Sequence, residues 1–300
     1  MRSGEPTPPF SSGLALVLAV FAISWGSILV RLCSAGPLVI AFYRVALAAI
    51  ILSPFALWSG HFGRPISSVS WRVLLAGFLL AVHFGAWVWS LALTTIASSV
   101  LLVSSQPLFS ALLSGAILGE RAPGRIYVGI MVSLVGMILI TGWDLKVSAG
   151  RWLGDFLSII AAVAGAGYFI MGRRLRAEVP FATYLFMVYG ASAALLGIAA
   201  WSVGQPLTGL RPADYAWLSV MAVLPSIIGH GCLNWAVRHV RVYFVSLASF
   251  GEPILATLYA WVLFHEPAPP ALFAGAALIF TGILISLPRP TRIPGEGRST

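Results

Sequence analysis

The chain has 300 residues, of which 59% are hydrophobic and only 9% charged, with a mean hydropathy of +0.94. A soluble domain of that size cannot hide so much apolar surface, so the composition excludes a soluble globular protein and points to an integral membrane protein. The net charge of +9 would suggest nucleic acid in a soluble chain, but it contains no dense basic run and no nucleic-acid partner is expected.

A transmembrane helix needs ~20 mostly apolar residues. Ten stretches qualify, at 14–33, 37–57, 72–92, 95–118, 124–142, 153–172, 181–203, 214–236, 243–264 and 269–287. Their period is not the alternation of a membrane β-barrel, so the expected fold is all-α with ten transmembrane helices. The first stretch resembles a signal peptide in having Arg2 before an apolar core, but its apolar run continues past Trp25 to Val30. It carries Ser24, Trp25 and Ser27, with Arg31 near its outer end, where a long side chain can snorkel. The second holds Arg44 about two turns in, where pairing with helix-end carbonyls or a carboxylate is expected. The third carries His83, Trp87 and Ser90, and the fourth Gln106, Pro107, Ser110 and Ser114. Gly115 and Gly119 fit a close helix contact, within a monomer or in a weak homodimer. Tyr168 lies in the sixth stretch. The eighth carries Ser226, His230, Asn234 and Arg238, four residues apart, which predicts a polar stripe on one helix face. The ninth carries Ser246, Ser249, Glu252 and Pro253.

Basic residues fall in alternate connections. Arg64, Arg72, Arg121, Arg125, Arg173, Arg174, Arg176, Arg238 and Arg241 share one side with Arg2, Arg289, Arg292 and Arg298, against Lys146, Arg151 and Arg211 on the other. The positive-inside rule then places both termini in the cytoplasm, as an even number of helices requires.

An offset of 146 residues lays 71–140 on 217–286 without a gap. It matches Trp71 with Trp217, Gly85 with Gly231, Trp89 with Trp235, Pro107 with Pro253, Glu120 with Glu266, Pro123 with Pro269, Gly129 with Gly275 and Gly136 with Gly282. The remaining helices match with a small shift, which divides the chain into a repeat at 1–145, a second at 146–288 and a cytoplasmic tail at 289–300. Five helices per half force the second half to enter the membrane upside down. Such inverted repeats serve alternating access around a central cavity near the midplane.

The same offset sets Gln106-Pro107 against Glu252-Pro253. Proline breaks the helical hydrogen-bond ladder, and inside a membrane the freed groups need a donor or water. Two broken helices facing one cavity are therefore expected, with Pro107 and Pro253 as hinges. Glu120 and Glu266 sit at helix ends and read as anchoring residues. His83, Gln106, His230, Asn234 and Glu252 are assigned to the cavity, because hydrocarbon penalises each without a partner. Donors at His83, His230 or Asn234 would suit a substrate carboxylate, acceptors at Glu252 or Gln106 an ammonium, and Trp25, Trp87 and Tyr168 an apolar side chain. Glu252 is also placed to carry a proton.

Ten helices, two five-helix repeats, Trp25-Gly26, Arg44, the Pro107 to Glu120 spacing, and Gly129 with Gly136 resemble the EamA-type members of the drug/metabolite transporter superfamily, most nearly the YddG-type bacterial amino-acid exporters. The resemblance covers nearly the whole chain. It implies a basket-like ten-helix fold, no bound cofactor, and export of aromatic and other apolar amino acids across the bacterial inner membrane. The second half departs from it, since the counterpart of Arg44 is apolar, near Met187.

An exporter of another small metabolite or a drug is the nearest rival. A membrane-embedded enzyme ranks lower: the sequence has no Gly-x-Ser-x-Gly elbow, no His-Glu-x-x-His, no phosphate loop and no paired-cysteine metal site, Cys33 and Cys232 standing far apart. No catalytic or metal-ligating residue is therefore assigned.

Overall fold

The computed structural model describes residues 11–59, 70–94, 96–141, 152–265 and 271–287. Glu266, Pro269, Arg2, Arg64, Lys146, Arg151, Arg289, Arg292 and Arg298 lie outside the described residues, as does the 289–300 tail. Among the described residues all regular structure is helical. The elements run α1 (Ser12–Ile23), α2 (Trp25–Leu32), α3 (Pro37–Trp58), α4 (Ser70–Leu93), α5 (Ile96–Val103), α6 (Gln106–Ile117), α7 (Gly124–Thr141), α8 (Trp152–Leu175), α9 (Phe181–Ser202) and α10 (Pro212–Met221). A π-helical segment (Ala222–His230), α11 (Gly231–His239), α12 (Val242–Ala248), a 3₁₀ turn (Ser249–Gly251), α13 (Glu252–Phe264) and α14 (Leu272–Ser286) complete the chain.

Among the described residues eight helical runs are long and apolar enough to cross a membrane, and Gly124–Ile140 and Leu272–Ser286 are shorter apolar helices in the fifth and tenth expected stretches. Proline starts several elements: Pro37 opens α3 and Pro212 opens α10, positions where the missing N–H has no helical partner to lose. Trp58 and Trp71, at adjoining ends of α3 and α4, are exposed, as are Trp152 and Trp201 at the start of α8 and the end of α9. Exposed tryptophans at helix ends suit the two water–lipid interfaces.

Four of the eight runs are broken near their middles. The break between α1 and α2 falls at Ser24, whose Oγ donates to the Val20 carbonyl at 2.6 Å. That between α5 and α6 falls at Ser104 and Ser105. The other two are the π segment between α10 and α11 and the 3₁₀ turn between α12 and α13. Pro107 and Pro253 are not mid-helix kinks. Each stands in the first turn of the half-helix after the break, where proline costs no hydrogen bond.

The close contact of α7 with α14 expresses the internal repeat. Gly129 lies against Gly282, and Gly136 against Gly275. Ser133 Oγ donates to the carbonyl of Ile279, 3.3 Å away and its equivalent at the 146-residue offset. The numbers rise along α7 as they fall along α14, so the two equivalent helices cross antiparallel. A β-carbon at Gly136 or Gly275 would stand 2.5 Å from the other's carbonyl oxygen, which is why both are glycine.

Three local expectations are corrected. Gly115-x-x-x-Gly119 is not a helix-contact motif within the chain. Gly119 lies beyond the end of α6 with φ +70°, and the Glu120 N–H donates to the Ser114 carbonyl at 3.1 Å, so the glycine closes a left-handed C-terminal turn. Arg72, Arg125, Arg173, Arg174 and Arg238 sit in the terminal turns of α4, α7, α8 and α11 rather than in connections. The even polar stripe over 226–238 is interrupted, because π winding (i→i+5) no longer stacks residues four apart.

Candidate functional site: the central cavity

The four breaks converge on one cavity of about 60 Å³, room for a few water molecules. Ile23 and Gly26 border it from α1 and α2, Ser104, Gln106 and Pro107 from the α5–α6 break, Pro225 and His230 from the π segment, and Ser249 and Glu252 from the α12–α13 break. Arg44, His83, Phe84, Trp87, Phe169 and Leu233 also line it. Gln106 begins α6 and Glu252 begins α13, so two half-helix N-termini open at the same place.

Each polar group there has a defined setting. His83 Nδ1 is 2.8 Å from the Ala161 carbonyl, and both His83 and Gln106 pack on Gly165 of α8. His230 is T-shaped to Phe84 at 4.9 Å between ring centres, and its Nδ1 is buried without a hydrogen-bond partner. The end of the Trp87 ring closes on Gly26, where a β-carbon would stand 3.4 Å from it. One residue further along both α2 and α4, Ser27 and Val88 border a second cavity of about 330 Å³ beside the α2–α3 connection.

Of the residues expected at the site, His83, Trp87, Gln106, Pro107, His230 and Glu252 come together there. Trp25, Tyr168, Asn234 and Pro253 are not in its wall. Trp25 stacks on Tyr259 at 4.7 Å. Asn234, the only asparagine in the chain, donates to Tyr168 Oη and to the His230 carbonyl, each at 2.7 Å, and accepts from Tyr184 Oη at 3.2 Å. Asn234 and Tyr168 are thus satisfied by one another behind His230. A β-carbon at Gly172 would press on this network, 2.9 Å from Tyr184 Oη.

Arg44 departs from expectation. No carboxylate lies within 4 Å of it among the described residues, and no helix-end carbonyl accepts from it. Its Nε donates to Ser226 Oγ at 3.2 Å, and its guanidinium covers the Phe84 ring at 3.8 Å. Pro225 has no N–H to offer the Met221 carbonyl, and Ser226 Oγ donates to that oxygen at 3.0 Å. The π segment therefore places the serine against Arg44, and Tyr189 Oη holds the Ser226 carbonyl at 2.8 Å. Arg44, Phe84, Phe169, Pro225 and Leu233 are among the cavity residues that sequence reasoning did not assign there. The depth of Arg44 in an apolar stretch was the signal for it.

At the other end of the bundle, Arg173 pairs with Glu120 at 3.1 Å and donates to the carbonyls of Val237 and Arg238. Arg174 donates to the Ile117 carbonyl. These bonds tie the C-terminal ends of α6, α8 and α11, so Glu120 does anchor a helix end. Burial, and then the like charge of Arg238, push the Arg176 guanidinium just past α8 down to about 10, which leaves it charged at neutral pH.

Residues 11–142 and 152–287 each match the EamA-like transporter family. The chain belongs to that family. This EamA-like transporter is a multi-pass membrane protein with two family domains. It is 27% identical over 93% of its length to the inner membrane transporter YedA of Escherichia coli K12, covering 92% of that protein. It is 25% identical to a riboflavin transporter of Vibrio cholerae, over 91% of this chain and 89% of that one. A probable terminal-alkyne amino-acid exporter of Streptantibioticus cattleyicolor is 23% identical over 91% of each chain. A solved crystal structure superposes with a TM-score of 0.75 at 21% identity, over 92% of the transporter and 96% of the other chain, which shows the shared fold.

Proposed function

We propose that this EamA-like transporter exports aromatic and other apolar amino acids across the bacterial inner membrane by alternating access. Its two halves form inverted repeats of five spans each, with both termini cytoplasmic, and it works as a monomer or weak homodimer. The observation that carries the reading is the meeting of four mid-span breaks at one cavity. That cavity sets an acid (Glu252), an amide (Gln106) and two imidazoles (His83, His230) beside aromatic rings (Trp87, Phe84). Polar groups at a midplane break are what a zwitterion with an apolar side chain needs. The antiparallel crossing of α7 and α14 supports the inversion, because equivalent helices running in opposite senses are related by an axis in the membrane plane.

The cavity is small, about 60 Å³, and in the proposed cycle the halves move to admit and release the substrate. The breaks preceding Pro107 and Pro253 supply the hinges, and withdrawal of Trp87 from Gly26 would join the cavity to the larger one beside α2 and α3. Trp25, Tyr168 and Asn234 act through the wall they support. Glu252, facing Arg44, His83 and His230, is the carboxylate of the cavity and the proposed proton carrier.

The test is uptake of labelled phenylalanine and leucine into liposomes holding the purified chain, with the Glu252→Gln variant in parallel. Wild-type uptake suppressed by excess unlabelled amino acid, with whatever uptake the variant retains independent of a proton gradient, is the expected result. Unchanged gradient dependence in the variant would remove the proton role. The Vibrio relative's name puts riboflavin in the substrate panel, and riboflavin uptake without amino-acid uptake would refute the amino-acid reading in favour of another metabolite.

A further inference from the structure

Arg44 has a free edge that the fold does not use. The side chain is 1% exposed, and its Nη1 is buried without a hydrogen-bond partner among the described residues. Its face is taken by Phe84 and its Nε by Ser226, which fixes the guanidinium at the cavity wall. A buried charge without a counterion is costly, and a guanidinium edge is shaped to take a carboxylate. A second donor stands nearby. His230 packs on the same Phe84, and its unpartnered Nδ1 can carry the ring hydrogen. Glu252 and Gln106 offer acceptors elsewhere on the same wall.

We infer that Arg44, helped by His230, is the anchor for a substrate carboxylate, and that Glu252 receives the ammonium group of the same molecule. The inference rests on the transporter reading above and narrows it. The preferred substrate carries both charges on one small head group, with an apolar side chain for Trp87, Phe169 and Leu233. A neutral solute would leave the Arg44 edge without a bonded partner, and a cation would meet the guanidinium as a like charge. A purely scaffolding arginine would make no distinction between substrates with and without a carboxylate.

The experiment is competition against labelled phenylalanine uptake in liposomes holding the full chain. The competitors are phenylalanine, phenethylamine (carboxylate removed) and 3-phenylpropionate (ammonium removed). Both analogues should compete at least ~tenfold more weakly than phenylalanine in the wild type, because a site built to bond a charged group rejects a ligand lacking it. In Arg44→Met the preference for phenylalanine over phenethylamine should vanish, and in Arg44→Lys it should largely survive. If Arg44→Met does not transport, thermal stabilisation of the purified variant by the same two ligands gives the ratio. Equal competition by phenylalanine and phenethylamine in the wild type overturns the inference, as does a preference kept in Arg44→Met. Failure of the wild type to take up any amino acid strikes instead at the proposed function, so the two failures are distinguishable.

Discussion

Replacing Gly165 with alanine tests whether His83 and Gln106 form part of a substrate site. A β-carbon there would stand 2.7 Å from His83 Nδ1 and 2.8 Å from Gln106 Oε1, both closer than real β-carbons come to their neighbours. The clashing atoms are the ends of side chains on α4 and α6, so the side chains move and the helices stay. His83 would swing away from the Ala161 carbonyl, 2.8 Å distant, at a cost of about 0.5–1.5 kcal/mol for the lost bond. Alanine for glycine inside a helix returns about 0.5–1 kcal/mol, so the melting temperature in detergent should barely change. Both side chains line the cavity of about 60 Å³, and ends displaced into it would narrow the site. KM for the transported amino acid should therefore rise several-fold, about 1 kcal/mol of binding. Gly190→Ala in α9 is the control, since its β-carbon would meet nothing within 4 Å, and it should leave KM unchanged. A wild-type KM in Gly165→Ala would refute the placement of His83 and Gln106 at the substrate.

Gly275→Ala should part α7 from α14, because its β-carbon would lie 2.5 Å from the Gly136 carbonyl oxygen and from Ile140 Cγ1; a loss of about 1–3 kcal/mol is expected, read as a lower melting temperature. Asn234→Leu should strip Tyr168 and the His230 carbonyl of their donor, costing about 2–3 kcal/mol, with KM of the folded fraction little changed; an unchanged melting temperature with a large rise in KM would return Asn234 to the substrate. Pro225→Ala would give residue 225 an N–H that can take the Met221 carbonyl from Ser226, so α winding should return, Arg44 should lose its Ser226 contact, and the phenylalanine-to-phenethylamine preference should fall.

The fold was legible because the two signals behind it are coarse. Apolar stretches of the right length located the helical runs, and the punctuating residues of the repeat, Pro107 with Pro253 and Gly129 with Gly275, each occupy equivalent places. Polar residues flagged for their cost in hydrocarbon proved a fair guide to the cavity, with His83, Gln106, His230 and Glu252 all in its wall. That cost does not reveal which polar groups satisfy one another. Asn234 and Tyr168 are as expensive in lipid as His230, yet their partners lie 66 residues apart in the chain and leave nothing for a ligand. Arg44 was misjudged for the converse reason. Its expected carboxylate or carbonyl partner does not materialise, since its ring stack and serine contact depend on π winding around Pro225, which helical periodicity cannot foresee.

The breaks also separate the symmetric part of this transporter from the asymmetric part. At the 146-residue offset the gap before α6 falls on the 3₁₀ turn before α13, and α7 falls on α14. These elements form a matched pair, as exchange between two mirror-related states requires of a scaffold. The other two breaks have no mates. The π segment corresponds to the middle of α4, which is a continuous helix of 24 residues, and α8, the counterpart of the broken α1–α2 run, is equally long and unbroken. The unmatched π segment is where Ser226 meets Arg44, itself without a charged counterpart in the second half. A two-fold cavity would bind a substrate in two opposed poses, whereas one arginine on one side admits a single orientation of a head group bearing two charges. On the proposed reading the scaffold stays symmetric enough to rock while the site stays polar enough to choose, and recognition sits where the chain departs from its repeat.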